Sequence, residues 1–170
     1  MLARNATLPD AAAIEQLIRV HTADGTLLPR SFREICENIR AFIVVEHEGR
    51  IVGCGALHLY GMHLAEIRSI TVSEKAQGLG AGRVLVDALL KEAKHQSVTC
   101  VCLFTRVPDF FAKMGFQVIE KELLPDKVHK DCLLCPRRYA CDEIAMYQGK
   151  LPSLSSYPLP SRGNRHRTYV

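Results

Sequence analysis

The chain has no uninterrupted apolar run near the roughly 20 residues that a membrane span requires. Its opening stretch, MLARNATLPD, lacks a charged segment followed by a long apolar one, so no secretory signal is read there. No internal repeat is visible. The net charge of +4 is concentrated in Arg162, Arg165 and Arg167, which argues against a uniform nucleic-acid-binding face. Seven cysteines, an odd number without a secretory signal, speak against a disulfide framework. What these absences leave is a cytoplasmic protein with neither nucleic acid nor membrane indicated as a partner. At 170 residues, 48% hydrophobic and 24% charged, the chain is long enough for one well-packed core.

Hydrophobic periodicity divides that length. Residues 2–6 read as a strand, PDAAAIEQLIRVH as a helix with Pro9 in its first turn, and RSFREICENIR as a second helix capped by Ser31. AFIVVEH, RIVGCGALHLY and LAEIRSITV read as strands, the first two joined by a hairpin turn. A glycine-rich stretch and a helix ending near His95 follow, then the buried strand SVTCVCLFT. VPDFFAKM reads as a short helix ended by Gly115, and FQVIEKE and DEIAMYQ as the last strands. The order implies an α/β (α+β) domain over residues 1–150, a central mixed sheet flanked by helices. Residues 151–170, rich in proline and serine and without periodicity, read as a flexible tail.

The stretch SEKAQGLGAGRVLVDALLKEA puts Gly78, Gly80 and Gly82 where a helix is about to start. Backbone N–H groups at a helix N-terminus attract anions, and glycine permits positive φ and close approach of a phosphate. A plain glycine-rich turn explains the same residues. A P-loop does not, since no Lys-Ser or Lys-Thr pair follows the last glycine, and the dinucleotide-binding spacing is also missing.

With its surroundings, a strand ending in SITV before it and DFFAKMGF beyond the next strand, the stretch resembles the GNAT family of N-acetyltransferases. The signature Gln/Arg-x-x-Gly-x-Gly/Ala is matched by Gln77, Gly80 and Gly82, and the resemblance covers roughly residues 1–120. It implies the GNAT fold, with a mostly antiparallel sheet, and acetyl-CoA as co-substrate. Backbone at Ile70 and Val72 would hold the pantetheine arm. The amides of Gln77, Gly78, Leu79, Gly80, Ala81 and Gly82, with Arg83 nearby, would take the pyrophosphate. GTLLPRSFREICENIRAFIVVEHEGRIVGCGAL, LFTR and MGF…LLP narrow the resemblance to N-acetylglutamate synthases, in particular short, free-standing forms. That implies acetylation of the α-amino group of L-glutamate, the first step of arginine biosynthesis. Another amine acceptor, or a non-catalytic acetyl-CoA sensor, would use the same fold. A homodimer stays open.

By the same carry-over Arg30 and Arg106 would grip the acceptor's carboxylates, as planar guanidinium forks do well. Arg68 is a further candidate. Glu66, on an otherwise apolar strand, is the natural base for the α-ammonium, directly or through water. The tyrosine that often protonates the leaving thiolate in this family is replaced by Phe110-Phe111, which leaves Ser69, Thr105, a cysteine or water for that task. Last, KVHKDCLLCPRRYACDE places His129, Cys132, Cys135 and Cys141 within thirteen residues, in a cysteine-containing segment spanning 129–143. A structural zinc, a redox thiol pair and plain packing thiols are three open readings.

Overall fold

A computed structural model describes residues 1–23 and 27–153; the expected tail beyond them lies outside the described residues. Seven strands are present: β1 Leu2–Asn5, β2 Phe42–His47, β3 Arg50–Leu59, β4 Ala65–Val72, β5 Cys100–Thr105, β6 Gln117–Val118 and β7 Ile144–Gly149. They form one sheet in the order β1-β2-β3-β4-β5-β7-β6. Every neighbouring pair is antiparallel except β4 and β5, which run parallel. The expected mixed, mostly antiparallel sheet is therefore observed.

The helices cover both faces because their apolar stripes leave them no alternative. α3 (Ala81–His95) buries Leu85, Val86, Leu89 and Ala93 on the face made by Ile43, Val45, Leu57 and Ile67. On the opposite face α1 (Ala11–Ala23) and α2 (Phe32–Glu37) press Ile14, Ile18 and Ile35 onto Phe42, Val44, Cys54 and Ala56. Each such large apolar side chain contributes about 1.5–3 kcal/mol relative to exposure. α2 starts where expected: Ser31 Oγ accepts from the Glu34 amide at 3.2 Å, and Glu34 accepts from the Ser31 amide at 2.8 Å.

The second half departs from the sequence reading. β6 has two paired residues instead of seven, since both Gln117 and Val118 are exposed and the strand has no face to bury. α4 spans only Pro108–Ala112, and the chain turns at Gly115 with φ +88°. A further helix, α5 (Pro125–Lys130), was not expected; Leu124, fully buried, anchors its start on Cys100, Cys102 and Ala145. Among the described residues no helix is long and apolar enough to cross a membrane.

Candidate active site

β4 and β5 pair only over Ala65–Ile67 and Val101–Leu103, so the strands part from Arg68 onward. On its other side β4 carries a bulge: Arg68 faces Ala56 and Thr71 faces Cys54, leaving Gly55 opposite both Ser69 and Ile70. Ser69 sits at φ +53°, a conformation that costs a non-glycine residue about 1–2 kcal/mol. Gly55 makes the bulge feasible, because a Cβ there would lie 2.9 Å from Ile70 Cγ1. Beyond the bulge Ile70 and Val72 present backbone along the open edge while their side chains pack towards α3.

Directly after β4 the chain makes a 3-10 turn at Glu74–Ala76 and enters α3 through the glycines. Gly78 (φ +76°) and Gly80 (φ +88°) hold left-handed backbone, and a Cβ at either would meet nothing within 4 Å. Positive φ, not space, requires glycine at these two positions. Gly82 differs: a Cβ there would lie 3.1 Å from Phe110 Cζ. Buried Ala81 pins the helix start, whereas Gln77, Leu79 and Arg83 are exposed around it. As the first residues of a long helix, Ala81, Gly82 and Arg83 have amides with no carbonyl four residues back in the helix. The stretch is thus an exposed, dipole-backed anion cradle.

At the start of β4, on the sheet face opposite α3, lies a charged cluster. Glu66 is 3% exposed and both carboxylate oxygens are engaged: Oε1 with Lys127 Nζ at 2.7 Å, Oε2 with the Tyr60 hydroxyl at 2.9 Å. Arg68 Nη2 lies 3.1 Å from Oε2, yet Nη2 and Nε are buried and make no hydrogen bond. Charge attraction holds the guanidinium there without satisfying its donors. Asp131, just past α5, accepts from Lys127 at 3.0 Å and lies 3.7 Å from Arg68 Nη2. Lys130 Nζ lies 2.8 Å from His58 Nε2.

The electrostatics follow from this packing. Burial, then the Glu66 charge, push the Tyr60 phenol far up, so it stays a donor. For Lys127 burial pulls the pKa down, but Glu66 and Asp131 together outweigh it and the net shift is upward. For Asp131 burial pushes up, but the Lys127 hydrogen bond and charge outweigh it, and the carboxyl lies below its usual value. Burial, assisted by Arg68 and Lys130, lowers His58 to about 4. Cys102, opposite Glu66 in the parallel register, is pushed far up by burial and stays a neutral thiol.

The two expected carboxylate grips have acidic partners of their own. Arg30 is 3.9 Å from Glu34, a loose pair. Arg106 Nε lies 2.8 Å from both Asp142 oxygens, and Nη2 2.8 Å from Oδ1. Thr105, at the open end of β5, is buried, and its Oγ1 accepts the Val107 amide at 3.0 Å. Of the three readings of the cysteine segment, the zinc one finds no assembled site: among the described residues no group of three or more His, Cys, Asp or Glu side chains could hold a metal ion. His129 and Cys141 are exposed, Cys132 and Cys135 half-buried, and short 3-10 and turn segments spread them out. Sequence reasoning missed Tyr60, Lys127 and Asp131. The four-residue spacing of the last two was visible in the chain; their contact with Glu66 depends on how α5 folds back.

A splayed parallel pair, a bulge and an anion cradle opening α3 define an acyl-CoA transferase architecture. The acetyltransferase (GNAT) family matches residues 12–116, and the chain belongs to it. It is an N-acetyltransferase that draws on acetyl-CoA. It is 43% identical over 143 residues to an N-acetyltransferase of Chlorobaculum tepidum described as uncharacterized, covering 84% of this chain and 92% of that one. To an amino-acid acetyltransferase of Mycobacterium tuberculosis it is 38% identical over 120 residues, 69% of this chain and 68% of the relative. Among solved structures it is similar to N-acetylglutamate synthase from Neisseria gonorrhoeae complexed with coenzyme A and N-acetyl-glutamate. That likeness has TM-score 0.75 and 25% identity, over 89% of this chain and 35% of the other.

Proposed function

We propose that the chain transfers the acetyl group of acetyl-CoA to the α-amino group of L-glutamate, as the opening step of arginine biosynthesis in the cytoplasm. The observation that carries this reading is the charge balance beside the strand splay. Arg68, Lys127 and Lys130 face only two carboxylates, Glu66 and Asp131, and His58 with its pKa near 4 is neutral at pH 7. One positive charge is left over: Lys130 is exposed, whereas Arg68 is largely buried with two nitrogens unsatisfied, and the excess favours an acceptor of net charge −1 and repels a polyamine. The amino-acid acetyltransferases among the relatives support the same class of acceptor.

In this reading the open edge at Ile70 and Val72 holds the pantetheine arm as an added strand. The amides from Gln77 to Gly82, with Arg83 nearby, receive the pyrophosphate. Backbone N–H groups at the splay polarise the thioester carbonyl. Glu66 takes the proton of the α-ammonium, directly or through a water, as that group competes with Lys127 for Oε1. Nitrogen attack, tetrahedral collapse and C–S cleavage follow, with the Ser69 and Thr105 hydroxyls as donors to the departing thiolate. Arg30, loosely paired, is the readier of the two outer arginines; Arg106 must first leave Asp142.

The test is thiol release from acetyl-CoA with each of the twenty amino acids and spermidine. Glutamate is expected to give the highest kcat/KM. Preference for spermidine or for a neutral amino acid would overturn the assignment.

A further inference from the structure

The cluster holds more than a base. Arg68 buries two nitrogens that no hydrogen bond satisfies, an arrangement that costs free energy unless something accepts from them. Asp131 is the one carboxylate of the cluster with substantial solvent access, its side chain 32% exposed against 3% for Glu66. It lies within reach of three donors: Lys127 at 3.0 Å, the Tyr60 hydroxyl at 3.5 Å and Arg68 Nη2 at 3.7 Å. Only the first of these distances is a good hydrogen bond, since contacts weaken steeply beyond about 3.2 Å. The carboxylate is attracted to the seat and fits it poorly.

We infer that Arg68, Lys127 and Tyr60 form a binding seat for a carboxylate of the acceptor, and that the Asp131 side chain is an internal competitor for it. The seat is placed for this role. Arg68 is the first residue of β4 beyond the last β5 pair, so it borders the splay into which the thioester must come. Ser69 and Ile70 follow, and one or two strand residues span about 3–7 Å, the scale of the separation between amine and carboxylate in an amino acid. An incoming carboxylate that met the Arg68 fork squarely would satisfy the donors that Asp131 leaves bare. Its negative charge would replace that of Asp131, which has solvent to turn into. Competition of this kind lowers affinity and raises selectivity, because an acceptor with no anionic group cannot displace the side chain.

The inference rests on the amino-acid-acceptor reading, but its test need not. Glutarate carries two carboxylates and no amine, so it probes the seat without any acetyl transfer. It would be titrated calorimetrically into the CoA-saturated protein. Arg68→Met is expected to weaken glutarate binding about ten- to a hundredfold, as loss of a charge-assisted contact implies. Arg68→Lys should fall between this variant and wild type, since a point charge lacks the fork. Asp131→Ala should bind glutarate several-fold more tightly. CoA affinity, measured in the same preparations, reports that each variant is folded. Should Arg68→Met cripple folding, the Arg68→Lys and Asp131→Ala pair still decides the matter. Glutarate affinity unmoved by either Arg68 substitution, or weakened by Asp131→Ala, would overturn the seat. Glutamate turnover together with indifference to Arg68 would keep the proposed reaction and remove the seat. Glutarate binding that depends on Arg68, in an enzyme that ignores glutamate, would do the reverse.

Discussion

The anion cradle and the charged cluster occupy opposite ends of β4, and they are built in opposite ways. The cradle is seven consecutive residues, Gln77 to Arg83, and it works through backbone: positive φ at two glycines and the amides that open α3. The cluster is side chains only, drawn from the end of β3, from β4 and from α5, with Tyr60 and Asp131 71 residues apart. A cofactor common to many acceptors can be met by a local backbone device. In the proposed reading, selectivity for one acceptor is written in side chains that tertiary folding brings together.

Gly80→Glu is the sharpest way to break the cradle half of this contrast. The new side chain would project into open space, so packing survives, but the left-handed φ of +88° would cost about 1–2 kcal/mol. A carboxylate at the phosphate position should weaken acetyl-CoA binding by about a hundredfold or more through repulsion and lost access. Gly80→Ala imposes the same backbone strain without the charge and separates the two causes. Calorimetric titration of CoA, alongside a thermal melt, checks both; near-normal affinity in folded Gly80→Glu would remove the cradle from cofactor binding.

Lys127→Met strikes the other half. It would strip the nearly buried Glu66 of its closest cation but leave Arg68 at 3.1 Å, so the loss should fall below the roughly 3–5 kcal/mol of a buried charge left with no partner. Glu66→Gln should cost less in this background than in the wild type, because the Lys127–Glu66 interaction is already gone. Urea unfolding of the two single variants and the double variant gives the coupling. CoA affinity should stay near wild type throughout, as the cradle shares no residue with the cluster. Additive losses would mean that the pair is not a unit.

The same contrast explains what could be read from the chain. The strands through β5 and the helices α1 to α3 carry their own periodicity, and GLGAG announces a helix start with positive φ, so these were legible. Ser69 in the left-handed bulge was not, because the requirement arises from Gly55 across the ladder. Nor was α5: its six residues have no apolar stripe, and buried Leu124 before them, with the Lys127–Glu66 and Asp126–His63 contacts, fixes its place. Arg30 and Arg106 were named from local resemblance, whereas Arg68, Lys127 and Asp131 meet around Glu66 through contacts that no short stretch encodes. The cysteine segment left three readings open for the complementary reason. Spacing suited to a metal does not fold four ligands towards one point.

The smallest effect separates the two regions by pH. His58 is bordered by Tyr60, Glu66, Arg68, Lys130 and Asp131, and its Nε2 accepts from the Lys130 ammonium at 2.8 Å. That bond needs the neutral ring, consistent with a pKa lowered from 6.5 to about 4. Above 6.5 the ring is neutral in both the folded and unfolded chains and adds no slope. As pH falls from 6.5 towards 4, the unfolded chain gains a proton that the folded one refuses, so stability is lost across that window; below it the contribution is flat. Because the ring is partly solvated, the expected loss is discounted to about 1 kcal/mol. His58→Gln keeps an acceptor for Lys130 and cannot titrate, so the stability difference between wild type and variant isolates the imidazole from the carboxylates. The difference should change between pH 6.5 and 4 and stay constant above 7, read by urea unfolding at each pH. A pH-independent difference would place the ring in ordinary solvent and loosen the charge balance on which the proposed glutamate selection rests.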